Sequence, residues 1–310
     1  MAKKIWIDCD PGIDDTLALM YALKSEELEV LGISVVGGNT NPSKCVDNVL
    51  RLLTFLNKEV LFLVKGSANE RTAEDTHGKN GLGNYTLPIN TSQKVYDLDL
   101  EDALDEMFSF NDDVTLVCLG PLTNWRGREA YLDLFSEIYI MGGCYKYPGN
   151  CSPVTEFNFW ADSLSAKSVF NYFKYGDYNK VHVVGLEITH KFVLTSGDVE
   201  LLCDENPEVG TFIKGITKYY MDFHRMQENL EGCVINDPVV IGCLLNPEMV
   251  VEEPYYVQVV NSPDFDMLDG QMIVDRKHFY KELPNVLVSS DITFKSVDKI
   301  WTDFLTTIVK

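Results

Sequence analysis

Short apolar segments alternate with amphipathic segments along much of the chain. The apolar runs, which are rich in β-branched residues, lie at 5–7, 31–36, 60–64, 114–119, 138–141 and 181–184. Stretches between several of these runs, such as 47–56 and 163–173, have the apolar period of a helix instead. Strands that alternate with helices predict an α/β fold, with a single open, mainly parallel sheet flanked by helices.

Polar or glycine-rich turns follow several of the predicted strands. Gly37 to Thr40 follows the second strand, Gly120 to Asn124 the fourth, and Gly142-Gly143 the next. The carboxyl ends of parallel strands share one edge of the sheet, where open α/β sheets bind ligands. We therefore expect the active site at this edge, with Asn39 and the Thr123 carbonyl among its members.

The densest polar signal is the turn Asp8-Cys-Asp10-Pro-Gly-Ile-Asp14-Asp15, which follows the first strand and precedes an apolar helix. Neighbouring carboxylates repel one another unless a cation or several hydrogen-bond donors absorb their charge. Capping of the helix would explain one acid but not four. The turn therefore predicts a site for a metal ion or for a ribose diol.

Two other known types of acidic loop are similar to this turn. An EF-hand needs an oxygen ligand, a glycine and a glutamate where this chain has Gly12, Ile13 and Leu19. The EF-hand is therefore excluded. Haloacid-dehalogenase-type phosphatases also place Asp-x-Asp after an apolar strand, with the first aspartate as nucleophile. A phosphatase that uses Asp8 as nucleophile is therefore the rival enzyme hypothesis.

Composition narrows the class of protein. The chain has 310 residues, of which 45% are apolar, and its formal net charge is −21. No linker or repeat interrupts it, so we expect one domain over residues 1–310. The negative charge disfavours nucleic acid and anionic membranes as partners. Eight scattered cysteines and the lack of a signal peptide or membrane-spanning run predict a cytoplasmic protein.

Three weaker signals lie farther along the chain. Asn150, Glu156 and Asn158 could hydrogen-bond a polyhydroxylated ligand, and an extended segment would put Glu156 and Asn158 on one side. Asp237 precedes a proline and has the pattern of a helix N-cap. His77 lies in a glycine-rich stretch that could form a lid.

Taken in order, these segments resemble the nucleoside hydrolase family, including its inosine-uridine-preferring members. The resemblance rests on Asp8-x-Asp10-Pro-Gly-x-Asp14-Asp15, Gly38-Asn39, His77-Gly-x-x-Gly81-Leu-Gly83, Leu119-Gly-Pro-Leu-Thr123-Asn, Met141-Gly-Gly, Gly149-Asn150 through Glu156-Phe-Asn158, Gly185-Leu-x-x-Thr189-His190 and Asp237-Pro. It covers nearly the whole chain.

The resemblance implies a calcium site and a ribose site. The implied Ca²⁺ ligands are the side chains of Asp10, Asp15 and Asp237 and the backbone carbonyl of Thr123. The implied ribose contacts are Asp14 and Asn158 to the 2′-hydroxyl, Asn39 and Asp237 to the 3′-hydroxyl, and Asn150 and Glu156 to the 5′-hydroxyl. A calcium-bound water, activated by Asp10, would cleave the N-glycosidic bond.

The chain departs from the family pattern at the leaving base. Inosine-uridine-preferring members usually have histidine immediately before the Asp-Pro pair, and this chain has Asn236. An amide cannot donate a proton as an acid, so Asn236 would only hydrogen-bond the base. His224 is the first candidate for the acid and His77 the second, with Tyr220 over the base. Trp160 could stack on a base, but its size favours the core. We expect His182 and His190 in core or supporting positions.

The resemblance also implies a homodimer or homotetramer and a role in nucleoside metabolism such as purine salvage. The preferred base stays open. A calcium-dependent nucleoside-binding protein that has lost its leaving-group acid is the remaining alternative.

Overall fold

The structure is a computed structural model that describes residues 2–87, 95 and 99–310. The strands are β1 (Lys3–Cys9), β2 (Leu28–Val35), β3 (Phe62–Lys65), β4 (Val114–Cys118), β5 (Glu137–Met141), β6 (Val181–Val184), β7 (Val193–Leu194), β8 (Cys233–Val234), β9 (Val250–Tyr255), β10 (Val257–Val259), β11 (Met272–Val274) and β12 (Val286–Ile292). The α-helices are α1 (Ile13–Lys24), α2 (Pro42–Leu56), α3 (Glu74–His77), α4 (Leu100–Phe110), α5 (Phe157–Ala161), α6 (Ser163–Phe173), α7 (Leu186–Thr189), α8 (Ser196–Glu205), α9 (Pro207–Glu228), α10 (Asp237–Leu245) and α11 (Phe294–Val309). Among these helices, none has the length and apolar composition needed to cross a membrane.

The central sheet has eight strands in the order β3-β2-β1-β4-β5-β6-β12-β9. Neighbouring strands are parallel except at the last pair, where β9 runs antiparallel to β12. This confirms the predicted α/β fold with a mainly parallel sheet. The strand order reverses direction between β1 and β4, and ligands bind in the crevice at such a switch point. The acidic turn follows β1 and lies at this crevice.

Side chains of β1 alternate between two apolar layers. Ile5 and Ile7 belong to the core under α1, α9, α10 and α11, whereas Trp6 belongs to the core under α4 and α6. Because alternate residues of a strand point to the same face, Asp8 is directed into the same layer as Trp6. Asp10 lies beyond the end of the strand. The two aspartates therefore have different surroundings although they are two residues apart.

The predicted elements occur, but several bounds differ. The helix predicted from residue 47 begins at Pro42, because Asn41 accepts the backbone N–H of Lys44 and caps the helix. The extended segment predicted at Glu156 to Asn158 is wrong. The Glu156 side chain accepts the backbone N–H groups of Asn158 and Phe159 and so caps the short helix α5. The prediction of Asp237 as an N-cap is wrong, because helix α10 begins at Asp237 itself and Asn236 is its N-cap residue.

Candidate active site

The first turn of α1 holds two buried carboxylates, Asp14 and Asp15. Asp15 accepts three hydrogen bonds, from the backbone N–H of Asp10 at 3.2 Å, from that of Gly12 at 3.0 Å and from Asn39 Nδ2 at 2.7 Å. Burial, followed by the negative charge of Asp14, raises the pKa of Asp15 to about 7. The turn therefore holds Asp15 rigidly at the start of the helix.

Asp10 occupies a narrow slot between two glycines. Its Oδ2 accepts the backbone N–H of Asn39 at 2.6 Å, and its own carbonyl accepts Asn39 Nδ2 at 3.0 Å. A Cβ atom on either Gly38 or Gly120 would overlap a carboxylate oxygen of Asp10. Burial, then the charge of Asp15, raises the pKa of Asp10. The position of this carboxylate is thus set by backbone atoms on both sides.

Asp237 brings a third carboxylate to the pair on α1. Asp14, Asp15 and Asp237 each place one oxygen within 4.8 Å of the others. The pKa of Asp237 is raised by burial and then by the negative charges of Asp14, Asp15 and Asp10. Buried carboxylates at this spacing need either protons or a cation. The oxygen-only donor set therefore fits a hard divalent cation.

Asp8 is separate from this group. It is fully buried, and its carboxylate accepts hydrogen bonds from Ser34 Oγ, from Asn124 Nδ2 at 2.7 Å and from Trp125 Nε1 at 3.1 Å. Burial raises its pKa to about 6. It does not line the cavity described below. The phosphatase hypothesis, which needs Asp8 as an accessible nucleophile, is therefore wrong.

The opposite wall carries the three polar residues predicted to bind hydroxyl groups. Glu156 accepts backbone N–H groups from Asn158 at 2.7 Å, Gly143 at 2.9 Å and Phe159 at 3.2 Å, and burial raises its pKa to about 7. Asn158 Nδ2 donates to the Leu119 carbonyl at 2.6 Å. The bonds to the Asn158 amide nitrogen leave its Oδ1 as the atom available to a ligand.

Asn150 also lies on this wall, and its Oδ1 accepts the backbone N–H of Phe157 at 2.9 Å. The side chain of Thr123 donates to Asn69 Oδ1 at 2.7 Å from the 3-10 helix Leu122–Trp125.

His77 and His224 differ in which ring nitrogen carries the proton. His77 Nδ1 accepts the backbone N–H of Ile13 at 3.1 Å, so the ring carries its proton on Nε2. Burial lowers the pKa of His77 to about 4. His224 Nδ1 lies 3.0 Å from the Tyr220 carbonyl, which can only accept, so Nδ1 carries a proton. In the neutral ring, His224 Nε2 therefore carries the lone pair.

Tyr220 and Asn236 both contact Asp14. The Tyr220 hydroxyl lies 3.4 Å and Asn236 Nδ2 3.3 Å from Asp14 Oδ2. Asn236 Oδ1 accepts the Thr189 hydroxyl at 2.8 Å. The Asn236 amide thus orients a carboxylate of the acidic cluster.

A cavity of about 360 Å³ joins these groups. Its lining includes the predicted site residues Asp10, Asp14, Asn39, His77, Asn150, Glu156, Asn158, Tyr220, His224, Asn236 and Asp237. The lining residues contain no lysine or arginine among the residues that the structure describes. The volume and the acidic, aromatic lining suit a small neutral or cationic ligand.

Several lining residues were missed or misplaced by the sequence analysis. Trp160 is half-buried and lines the cavity, with the Arg71 guanidinium 4.4 Å from its ring centroid, so the expectation of a core tryptophan is wrong. His190 lines the cavity too, whereas His182 is buried against Tyr139 and Glu252. Glu228 was not singled out, although the four-residue spacing from Tyr220 through His224 to Glu228 was available as a signal.

Comparison with known proteins identifies the class. The family model of inosine-uridine preferring nucleoside hydrolases matches residues 5–301. The chain therefore belongs to this family, as its motifs predicted, and it is a nucleoside hydrolase.

Individual relatives differ in base preference. The pyrimidine-specific ribonucleoside hydrolase RihA of Klebsiella pneumoniae is 30% identical over 302 residues, 94% of each chain. A purine-preferring ribonucleoside hydrolase from Gardnerella vaginalis superposes with a TM-score of 0.86 at 27% identity, over 99% of this chain and 98% of the other. The plant nucleoside hydrolase PpNRh1 superposes with a TM-score of 0.87 at 26% identity, over 100% of this chain and 99% of the other. These relatives therefore include both pyrimidine-specific and purine-preferring enzymes.

Proposed function

We propose that this nucleoside hydrolase cleaves the N-glycosidic bond of ribonucleosides to ribose and free base, with Ca²⁺ as its metal and Asp10 as the residue that takes a proton from the attacking water. The observation that carries the proposal is the group of buried carboxylates, Asp14, Asp15 and Asp237, at the end of a cavity lined by amides and aromatic rings.

The carboxylate group supports a calcium site. Asp15 and Asp237 belong to the group of three close carboxylates, and they also belong to the Ca²⁺ ligand set that the resemblance implies. The other members of that ligand set are Asp10 and the Thr123 carbonyl. When bound, Ca²⁺ would make a coordinated water more acidic and would accept ribose hydroxyls as further oxygen ligands. Burial, and then the mutual repulsion of these carboxylates, raises the pKa of Asp10 and Asp237, and a cation would relieve that repulsion.

Ribose binding follows from the polar atoms that face the cavity. Asp14 would accept the hydrogen bond of the 2′-hydroxyl, which Asn158 would also contact, and Asn39 and Asp237 would contact the 3′-hydroxyl. Glu156 already accepts three backbone N–H groups, which leaves one acceptor position for a 5′-hydroxyl, with Asn150 beside it. A 5′-phosphate would meet the buried Glu156 carboxylate and be repelled. We therefore propose nucleosides as substrates rather than nucleotides.

Bond cleavage would develop positive charge on the ribose ring, and the surrounding carboxylates would stabilise it. Asp10 would take the water proton through a carboxylate that Asn39 and the two flanking glycines hold in place. His224 would protonate the departing base from Nε2, since its Nδ1 proton is committed to the Tyr220 carbonyl. His77 would donate a hydrogen bond from Nε2 as a neutral ring.

Four further properties belong to the proposal. A single domain over residues 1–310 and a cytoplasmic location are supported by the continuous sheet and by eight free cysteines. A homodimer or homotetramer, and a role in purine salvage, rest on the resemblance.

The test is a paired assay with p-nitrophenyl riboside and p-nitrophenyl phosphate, each with and without a calcium chelator. We expect riboside cleavage that the chelator abolishes and added Ca²⁺ restores, and no phosphate cleavage. Asp10→Asn should reduce turnover by at least about 10²-fold, the usual range for a general base. Asp204→Asn, on the exposed side of α8, is the matched control. Calcium-dependent ribose binding without turnover would support the binding-protein alternative instead.

A further inference from the structure

Helix α9 directs a row of polar side chains into the cavity. Tyr220, His224 and Glu228 are spaced four residues apart and all line the cavity. A helix rises 1.5 Å per residue, so successive members are about 6 Å apart along its axis. The Tyr220 hydroxyl lies 3.4 Å from Asp14 Oδ2, and the rings of Tyr220 and His224 are 4.4 Å apart. The row therefore begins at the carboxylates and ends at Glu228, about 12 Å farther along the axis.

A second chain of contacts leads from Asp14 to the same end of the cavity. Asn236 Nδ2 lies 3.3 Å from Asp14 Oδ2, and Asn236 Oδ1 accepts the Thr189 hydroxyl at 2.8 Å. The next residue, His190, lines the cavity and has its Nε2 3.9 Å from Glu228 Oε2. The two chains of contacts thus enclose the space between the carboxylates and the pair formed by His190 and Glu228.

The pair of His190 and Glu228 has unused hydrogen-bonding capacity. Their separation of 3.9 Å is too long for a direct hydrogen bond but lets both contact adjacent atoms of one ligand. His190 Nδ1 is buried without a hydrogen-bond partner, which favours the proton on Nε2, the nitrogen near Glu228. Burial lowers the pKa of His190 to about 4, so the ring is neutral near pH 7. The pair therefore offers one donor and one acceptor.

Helix stability does not explain Glu228. It is the last residue of α9, where the helix dipole disfavours negative charge. Within 4.0 Å, the basic side chain that the described residues place beside its carboxylate is His190 alone, and that ring is neutral near pH 7. Its side chain is 35% exposed and lines the cavity, so the carboxylate is accessible to a ligand there.

We propose that Glu228 and His190 recognise the edge of the nucleobase that lies farthest from the ribose. Glu228 accepts an N–H group of the base, and His190 Nε2 donates to the acceptor beside it. This inference rests on the proposed function, because ribose at the carboxylates directs the base along the row past His224. Uracil, cytosine, hypoxanthine and adenine all have adjacent donor and acceptor atoms on that edge. Bases without the N–H are disfavoured.

The experiment compares natural nucleosides with ribosides that lack the N–H but add no bulk. In the calcium-loaded enzyme, uridine and cytidine are paired with 2-pyrimidinone riboside, and inosine and adenosine with purine riboside. Glu228→Ala should lower kcat/KM for the preferred nucleoside by about 10- to 100-fold, the range for a hydrogen bond to a charged group. The analogue and p-nitrophenyl riboside should lose at least tenfold less. Each substrate is compared between the wild type and the variant, so differences in leaving-group ability among the substrates cancel.

Two further variants test the assignment. Glu228→Gln keeps an acceptor and should recover most of the selectivity, whereas Glu231→Ala, an exposed change outside the cavity, should match the wild type. An equal loss for nucleoside and analogue in Glu228→Ala would overturn the proposal, as would unchanged selectivity. If wild-type enzyme cleaves no p-nitrophenyl riboside, the proposed function fails and this inference fails with it.

Discussion

Gly12 lies where the two halves of the site meet, and its substitution is a sharp test of the site geometry. A Cβ atom at this position would lie 2.6 Å from both Asn39 Nδ2 and His77 Nδ1, whereas ordinary contacts begin at 3.4 Å. In Gly12→Ala, the distance from the new Cβ atom to Asn39 Nδ2 and the distance to His77 Nδ1 must therefore each increase by about 0.8 Å. Asn39 cannot move alone, because it bonds both Asp10 and Asp15. The carboxylates must move with it.

The expected loss in Gly12→Ala follows from that displacement. Misplacing reacting groups by about 1 Å costs roughly 10²-fold, so kcat/KM for p-nitrophenyl riboside should fall about 10- to 100-fold. Overpacking should also lower the free energy of unfolding by about 1–3 kcal/mol, which thermal unfolding measures. Gly197→Ala is the matched control, because its Cβ would meet only Thr195 Oγ1, at 3.6 Å. Wild-type kcat/KM in Gly12→Ala would refute the geometric reasoning.

Three other predictions concern single side chains. His224→Ala should lower kcat/KM for nucleosides by about 10²-fold or more and His77→Ala by less than about tenfold, since only His224 has a nitrogen free to cycle a proton; equal, mild losses would exclude His224 as the acid. Asp8→Asn should keep chelator-sensitive activity while losing about 1–3 kcal/mol in urea unfolding, because the new amide meets the donor Trp125 Nε1; an inactive but stable variant would contradict this. Folding lowers the pKa of His190 from 6.5 to about 4, so its stabilising effect is complete above pH 6.5 and declines as the pH falls to 4. His190→Gln should therefore reduce the loss in the free energy of unfolding between pH 6.5 and pH 4 by up to about 3 kcal/mol. An unchanged pH dependence of the free energy of unfolding would contradict the lowered pKa of His190.

The sheet and one side of the site could be predicted because their signals are local. The apolar runs at 114–119 and 181–184 predict β4 and β6 to within one residue. The acidic turn is contiguous in sequence, so the strand before it and the helix after it place Asp10, Asp14 and Asp15 together. The carboxyl-edge rule then brings Asn39 to the same crevice, where it bonds both Asp10 and Asp15.

The other residues depend on contacts between distant segments. Trp125 lies 117 residues after Asp8, and nothing near Asp8 shows that its carboxylate is already occupied by that indole. Trp160 lies between the apolar residues Phe159 and Ala161 in sequence, but Arg71 covers one face of its ring at the cavity. Glu228 meets His190 only because the fold brings the last turn of α9 beside the residue that follows α7. The sequence periodicity identifies which residues share one face of a helix. It does not identify which residues of other segments contact that face.

The location of these groups also affects how the protein could be redesigned. Asp10, Asn39 and Asn158 are held by backbone atoms at the end of the sheet, so changes there disturb many contacts at once. The last turn of α9 is different, because it ends at Asn229 in a left-handed conformation and faces solvent on its other side. Libraries confined to Phe223, Gln227 and Glu228, which line the cavity, could therefore vary base selectivity while His224 and the other parts that break the bond stay intact. In such a scaffold, new specificities can be screened separately from catalysis.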